Sequence, residues 1–158
     1  MIKVLFVCLG NICRSPMAEA VFADMVSRKG LDDQFVVDSA GTSDYHIGES
    51  PHEGTITQLK QHHINSNGMV GRQIKSDDYK YFDYIMVMDE KNLRDVISRQ
   101  TGDHQPVIKK LLDYLPEEDV SDVPDPYFEG GFDYTYDLVK RACKHLLDDI
   151  LTEHDVSN

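Results

Sequence analysis

Cys8 and Arg14 are separated by five residues, Leu9, Gly10, Asn11, Ile12 and Cys13, and followed at once by Ser15 and Pro16. Each type suggests a task. A thiolate is a strong nucleophile, and the positive end of a helix favours it over the thiol. A guanidinium presents a planar fork that fits two oxygens of a phosphoryl group. A loop entering a helix N-terminus can turn several backbone N–H groups toward one centre, which makes an anion site. Gly10 and Asn11 are the types that tolerate the positive φ such a wrap needs. Ser15 can donate its hydroxyl to the sulfur. The chemistry implied is attack of Cys8 on a phosphorus held by Arg14 and the amides of residues 9–15. The bland alternative is a buried cysteine at a strand end, with an arginine capping a surface.

Displacing an alkoxide or phenoxide calls for an acid, because a phenol's pKa is about 10. Asp125 is the candidate, in Asp122-Val123-Pro124-Asp125-Pro126-Tyr127. Prolines on both sides stiffen the backbone that aims it. Asp122 is the obvious rival and Asp119 a more remote one. Taken alone, Asp-Pro is ordinary turn chemistry, and only its pairing with the Cys8 loop makes it an acid.

The elements that must position these groups follow from the pattern. Val4-Leu5-Phe6-Val7 reads as a buried strand ending at Cys8. Ser15 as cap and Pro16 as first residue open a helix, with Met17, Val21, Phe22, Met25 and Val26 as its apolar stripe and Gly30 as its stop. Phe35-Val36-Val37, closed by Ala40-Gly41, is a second strand. Residues 51–63 read as a helix with Ile56, Leu59 and Lys60 on one side. Tyr84–Met88 is a third strand, and a helix runs from Asp89 to about Ser98. Residues 107–112 fit a short strand or a helical turn. Asp119 to Gly131 reads as a loop, and Phe132–Glu153 as a long helix with Tyr136, Val139, Leu146, Leu147 and Ile150 inward. Alternating strands and helices imply a parallel sheet with helices on both faces and a site beyond the C-terminal strand ends. The expectation is one α/β domain over residues 1–158.

The chain's 158 residues are 41% hydrophobic and 28% charged, with a net charge of −12. That charge argues against nucleic-acid or anionic-membrane surfaces, so attraction for an anion must be local. No stretch has the length of a membrane span or a signal-peptide core, which leads to the expectation of a cytoplasmic protein. Three cysteines without a secretory signal do not suggest a disulfide framework. Cys143 reads as core. Cys13 reads either as a small hydrophobe or as a thiol that resolves oxidised Cys8 into a disulfide. The seven histidines show no metal-ligand spacing, and His46, His52 and His62-His63 read as solvated or capping residues. Neither metal nor cofactor is required, since Arg14 and the amides supply the electrostatics.

The run Val7-Cys8-Leu9-Gly10-Asn11-Ile12-Cys13-Arg14-Ser15-Pro16-Met17-Ala18-Glu19, with Asp125-Pro126-Tyr127, closely resembles the low-molecular-weight protein tyrosine phosphatases. Asp38–Thr42, Tyr45–Gly48, Gly71–Ile74, Phe82–Ile85 and Met88-Asp89 extend the likeness in family order, in bacterial style. The resemblance implies a four-stranded parallel sheet, with a phosphate loop between the first strand and the first helix. It implies Cys8 as the nucleophile forming a phosphocysteine, Arg14 as phosphoryl binder, Asp125 as acid then base, and phosphotyrosine proteins as substrates. It assigns Leu9, Ile12, Tyr45, Tyr127 and Phe128 to the cleft, and Asn11, Ser39 and Asp89 to support. The expectation is a monomer, with weak self-association and signal-less export left open. Phe128 stands where relatives often have a second tyrosine, and no histidine occupies the place where eukaryotic members put one near Ser39.

Of three rival readings, an arsenate reductase is excluded and two stay open. Protein-arginine phosphatases share the scaffold but resemble this chain with Thr in place of Ile12. Arsenate reductases need a further redox cysteine pair, and no cysteine lies between Cys13 and Cys143. A non-catalytic phosphate- or phosphopeptide-binding module would use the same loop without turnover.

Overall fold

The computed structural model describes residues 1–156. Four strands, β1 Ile2–Cys8, β2 Phe35–Gly41, β3 Tyr84–Val87 and β4 Val107–Lys110, form one sheet in the order β2-β1-β3-β4. All three pairings are parallel. Six helices accompany them: α1 Arg14–Arg28, α2 Glu53–Gln61, α3 Ser76–Tyr81, α4 Glu90–Ser98, α5 Pro126–Glu129 and α6 Phe132–Glu153. Two 3-10 turns, Asp32–Gln34 and Leu111–Tyr114, complete the chain order.

The apolar run of β1 is continuous because both faces of the sheet are covered. Val4, Phe6 and Cys8 point into a core shared with Met17, Val21 and Phe22 of α1 and Leu138, Leu146 and Ile150 of α6. Leu5 and Val7 point the other way, toward Ile85, Val87, Tyr79 of α3 and Val96 of α4. The alternation is the two-residue period of a strand. Phe22 stands edge-on to Phe6 at 5.5 Å and to Phe35 at 6.0 Å, which locks α1 across β1 and β2. Central β1 thus carries the Cys8 loop out of the best-packed part of the molecule.

Several boundaries differ from those read in the sequence. α1 begins at Arg14, two residues before Pro16, and Cys13 is its cap position. Pro16 is still tolerated, because its ring replaces an N–H that has no partner in a first turn. Ser15 caps nothing and turns inward instead. Met25 is only partly buried. α2 begins at Glu53, where the His52 ring accepts from Gly54 N–H at 2.9 Å; its buried face is Thr55 and Leu59, with Lys60 exposed. Residues 107–112 resolve into β4 followed by a 3-10 turn. The segment read as a loop up to Gly131 contains α5, and α3 was not anticipated. The span of α6 agrees with its periodicity at both ends.

Candidate active site

The segment 8–15 leaves the end of β1 and wraps into α1 with its carbonyls drawn outward. Cys8 C=O accepts from Thr42 N–H at 2.9 Å, and Leu9 C=O from Ser43 N–H at 3.0 Å. Ile12 C=O accepts from His52 N–H at 2.7 Å, and Cys13 C=O from the Thr55 hydroxyl at 3.2 Å. Amides whose carbonyls face out are free to face in, and the first-turn N–H groups of Arg14 and Ser15 have no intrahelical partner. Asn11 N–H points at Cys8 Sγ, 3.3 Å away. Asn11 has φ +58°, as the sequence suggested, whereas Gly10 does not adopt a positive φ. Gly10 is needed for space: a Cβ there would lie 2.9 Å from the His46 ring. Gly41 is tighter still, because a Cβ would meet Leu9 C=O at 2.7 Å.

Asn11 also organises the side chains beneath the loop. Its Oδ1 accepts from Arg72 N–H at 3.0 Å, and its Nδ2 donates to Ser15 Oγ at 2.8 Å and to Ser39 Oγ at 3.0 Å. Ser15 Oγ lies 3.0 Å from Cys8 Sγ. Ser39 donates to Glu19 Oε1 at 2.6 Å. Burial lifts the Glu19 carboxyl to about 7; the Ser39 hydrogen bond opposes this, nearby Asp38 adds to it and Arg72 opposes it. Glu19 and Arg72 lie within segments that carry the family resemblance, but the sequence assigned neither a role.

Arg14 is 2% exposed and points under the loop. Nη1 donates to Asp89 Oδ2 at 2.7 Å and to Val123 C=O at 2.9 Å, and Nη2 lies 3.3 Å from Asp125 Oδ2. Burial works against its charge, but the Cys8 sulfur, Asp125 and Asp89 outweigh it and hold the guanidinium above its usual range. Its Nε is buried and, among the described residues, has no hydrogen-bond partner. A buried donor without an acceptor is costly unless an anion supplies one. Asp89 serves twice, capping α4 through Oδ1 to Asn92 N–H at 2.7 Å while Oδ2 aligns Arg14. Asp125 likewise caps α5 through Oδ1 to Tyr127 N–H at 3.1 Å, leaving Oδ2 toward Arg14. Asp122 instead pairs with Lys110 at 3.1 Å and does not line the cleft.

The cleft above the loop has a volume of about 290 Å³ and is lined by Cys8, Leu9, Gly10, Ile12, Cys13, Tyr45, His46, Asp125, Tyr127 and Phe128. Tyr45 and Phe128 are about 70% exposed at its mouth, so they form walls and not core. His46, read as solvated or capping, is a lining residue: its Nδ1 lies 3.0 Å from Glu49 and its ring 5.9 Å from Tyr127. His52 fulfils the capping role and stacks on Phe132. The three cysteines are free thiols. Burial, then Asp125 and Cys8, push Cys13 up to about 12, and burial also raises Cys143, which lies fully in the core. Among the described residues no cluster of His, Cys, Asp or Glu could hold a metal ion, and no helix is long and apolar enough to cross a membrane.

The arrangement matches known proteins along nearly its whole length. The family described as low molecular weight phosphotyrosine protein phosphatase matches residues 3–156. A low molecular weight protein-tyrosine-phosphatase from Bacillus subtilis, YfkJ, is 48% identical over 153 residues, covering 97% of this chain and 98% of its own. The crystal structure of YfkJ superposes with a TM-score of 0.91 at 47% identity, covering 97% of this chain and 96% of that one. A Drosophila arginine phosphatase superposes with a TM-score of 0.87 at 35% identity, covering 99% of each chain.

Proposed function

Because the chain belongs to the low molecular weight phosphotyrosine protein phosphatase family, we propose that it hydrolyses phosphotyrosine in proteins through a phosphocysteine. The observation that carries this reading is the placement of Cys8 and Asp125 on one aromatic-walled cleft, with buried Arg14 reaching Asp125 from beneath the loop and its Nε without a partner among the described residues. In the first step the Cys8 thiolate forms the S–P bond as the P–O bond to tyrosine breaks. Asp125 gives its proton to the departing phenolate oxygen. In the second, Asp125 takes a proton from water, which attacks phosphorus, breaks the S–P bond and releases inorganic phosphate and the thiolate. Arg14 and the inward amides of Leu9 to Ser15 bind the three non-bridging oxygens and the charge that develops on them. Leu9, Ile12, Tyr45, Tyr127 and Phe128 enclose the tyrosine ring. Its substrates are phosphotyrosine proteins in the cytoplasm.

Asp125→Ala tests the acid. Turnover of tyrosine phosphate, whose leaving group is basic, should fall about 10²–10⁴-fold, and turnover of an aryl phosphate with an acidic leaving group far less. Equal losses on both would remove Asp125 from the role. Cys8→Ser should abolish turnover and keep phosphate binding.

The likeness to an arginine phosphatase favours one second reading, hydrolysis of a nitrogen-linked phosphate. Ile12 opposes it, being buried, apolar and unable to polarise water. Higher kcat/KM on phosphoarginine than on phosphotyrosine peptides would reverse the preference.

A further inference from the structure

With Cys8 as the thiolate, which can only accept, the hydrogens beneath the loop fall into one consistent arrangement. The orientation of the Asn11 amide is set by Arg72 N–H, which must meet Oδ1. Both hydrogens of Nδ2 are then spent on the two hydroxyl oxygens of Ser15 and Ser39. Each serine, having accepted, must send its own hydrogen elsewhere. The Ser15 hydrogen goes to Cys8 Sγ at 3.0 Å; the alternative, Ala40 C=O, is 3.4 Å away. The Ser39 hydrogen goes to Glu19 Oε1 at 2.6 Å. One amide thus feeds two hydroxyls that end on two acceptors, a sulfur and a carboxyl.

We propose that Glu19 is a positioning residue for the reaction: by taking the Ser39 hydrogen it holds the Asn11 amide in register, and so keeps the Ser15 O–H aimed at Cys8. Without an acceptor at position 19, the Ser39 hydrogen is left unpaired in a buried site and the hydroxyl rotates to find another partner. Its oxygen then turns away from Asn11 Nδ2, the amide loses one of its three anchors, and the Ser15 O–H it feeds is no longer held on the sulfur. Buried networks couple in this way because each member is oriented by the bonds of the next. Glu19 is four residues beyond Ser15 on α1, so both project from one helix face toward β2. It stands outside the cleft and touches no reacting atom.

The inference rests on Cys8 being the nucleophile, and the readout is chosen to separate the two. The rate of Cys8 alkylation by iodoacetamide at neutral pH reports the donor on the sulfur without any turnover. Cys13, pushed up to about 12, stays protonated and does not compete. Glu19→Met, which removes the acceptor at similar size, should slow alkylation about tenfold, as should Ser15→Ala. The double variant should be no slower than Ser15→Ala, because both act on one hydrogen bond. Glu19→Gln keeps an acceptor oxygen and should recover most of the loss. Ser39→Ala cuts the same link with the loss of a single oxygen, so it gives the answer even where the methionine variant does not fold. If Ser15→Ala slows alkylation while Glu19→Met and Ser39→Ala do not, Glu19 has no positioning role. If the wild-type thiol reacts no faster than free cysteine, the nucleophile assignment fails as well.

Discussion

Replacing Glu19 by glutamine should change how stability depends on pH. The carboxyl titrates near 4.5 in an unfolded chain and at about 7 in the fold, with burial the main cause. Between those values the native state holds more protons than the unfolded state, so stability falls as pH rises through the window. The difference of about 2.5 units corresponds to about 3.4 kcal/mol at 1.36 kcal/mol per unit. Screening at the partly exposed edge of the side chain trims this to about 2–3 kcal/mol. Glutamine resembles the protonated acid in shape but does not ionise. Wild type and Glu19→Gln should therefore be about equally stable below pH 4.5, and the variant should be more stable by about 2–3 kcal/mol above pH 7. Urea unfolding at a series of pH values, with the difference between the two proteins plotted, isolates this one group from the other acids. A difference that stays flat from pH 4.5 to 8 refutes the reasoning, whatever the absolute stabilities. A cost of this size, kept at a position that feeds the loop, is the kind of exchange of stability for activity found at functional sites.

Further outcomes follow from the geometry around Arg14 and the loop. Arg14→Lys replaces a fork that spans Asp89, Val123 C=O and Asp125 by a single point charge, and kcat/KM should fall about 10²–10³-fold in a phosphotyrosine assay. Retention of more than a tenth of activity would contradict it. Mass spectrometry after brief iodoacetamide treatment near neutral pH should find the adduct on Cys8, with Cys13 and Cys143 unmodified because burial holds them protonated; comparable labelling of Cys13 counts against that. Gly41→Ala sets a Cβ 2.7 Å from Leu9 C=O, so unfolding should become easier by about 1–3 kcal/mol and turnover slower, checked by thermal melts and kinetics on the same sample. An unchanged melt and unchanged rate would show that the loop yields freely there.

The local patterns that place the site were readable because they are contiguous. A five-residue buried strand run, Val4–Cys8, a Gly-Asn loop and an apolar stripe of helical period all lie within residues 2–28, and the long helix α6 carries its period over 22 residues. Where the reading failed, the signal was short or shared. α3 spans six residues, Ser76–Tyr81, with one buried aromatic and four polar side chains, too few turns to show a period. α5 is a single turn hidden among Pro126, Gly130 and Gly131. The start of α1 was displaced because Pro16 also fits a third helical position. Asp125 could be preferred over Asp122 only through its partner loop, and the fold separates them by giving Asp122 to Lys110. Glu19, Arg72 and His46 reach the site through contacts 20 to 61 residues apart in the chain or through a loop turn, distances over which a single sequence offers no periodicity to follow.

The strand order places β1 between two paired neighbours, with an apolar core against each of its faces. Local fluctuations begin where contacts are sparse, and an interior strand opens last. The Cys8 sulfur therefore stands at the end of a strand whose amides should exchange last, while the aromatic wall on the single-turn α5 should open more readily. Admission of a bulky side chain and the placement of the sulfur thereby fall to parts of the fold with very different numbers of packed neighbours, and hydrogen exchange should separate them.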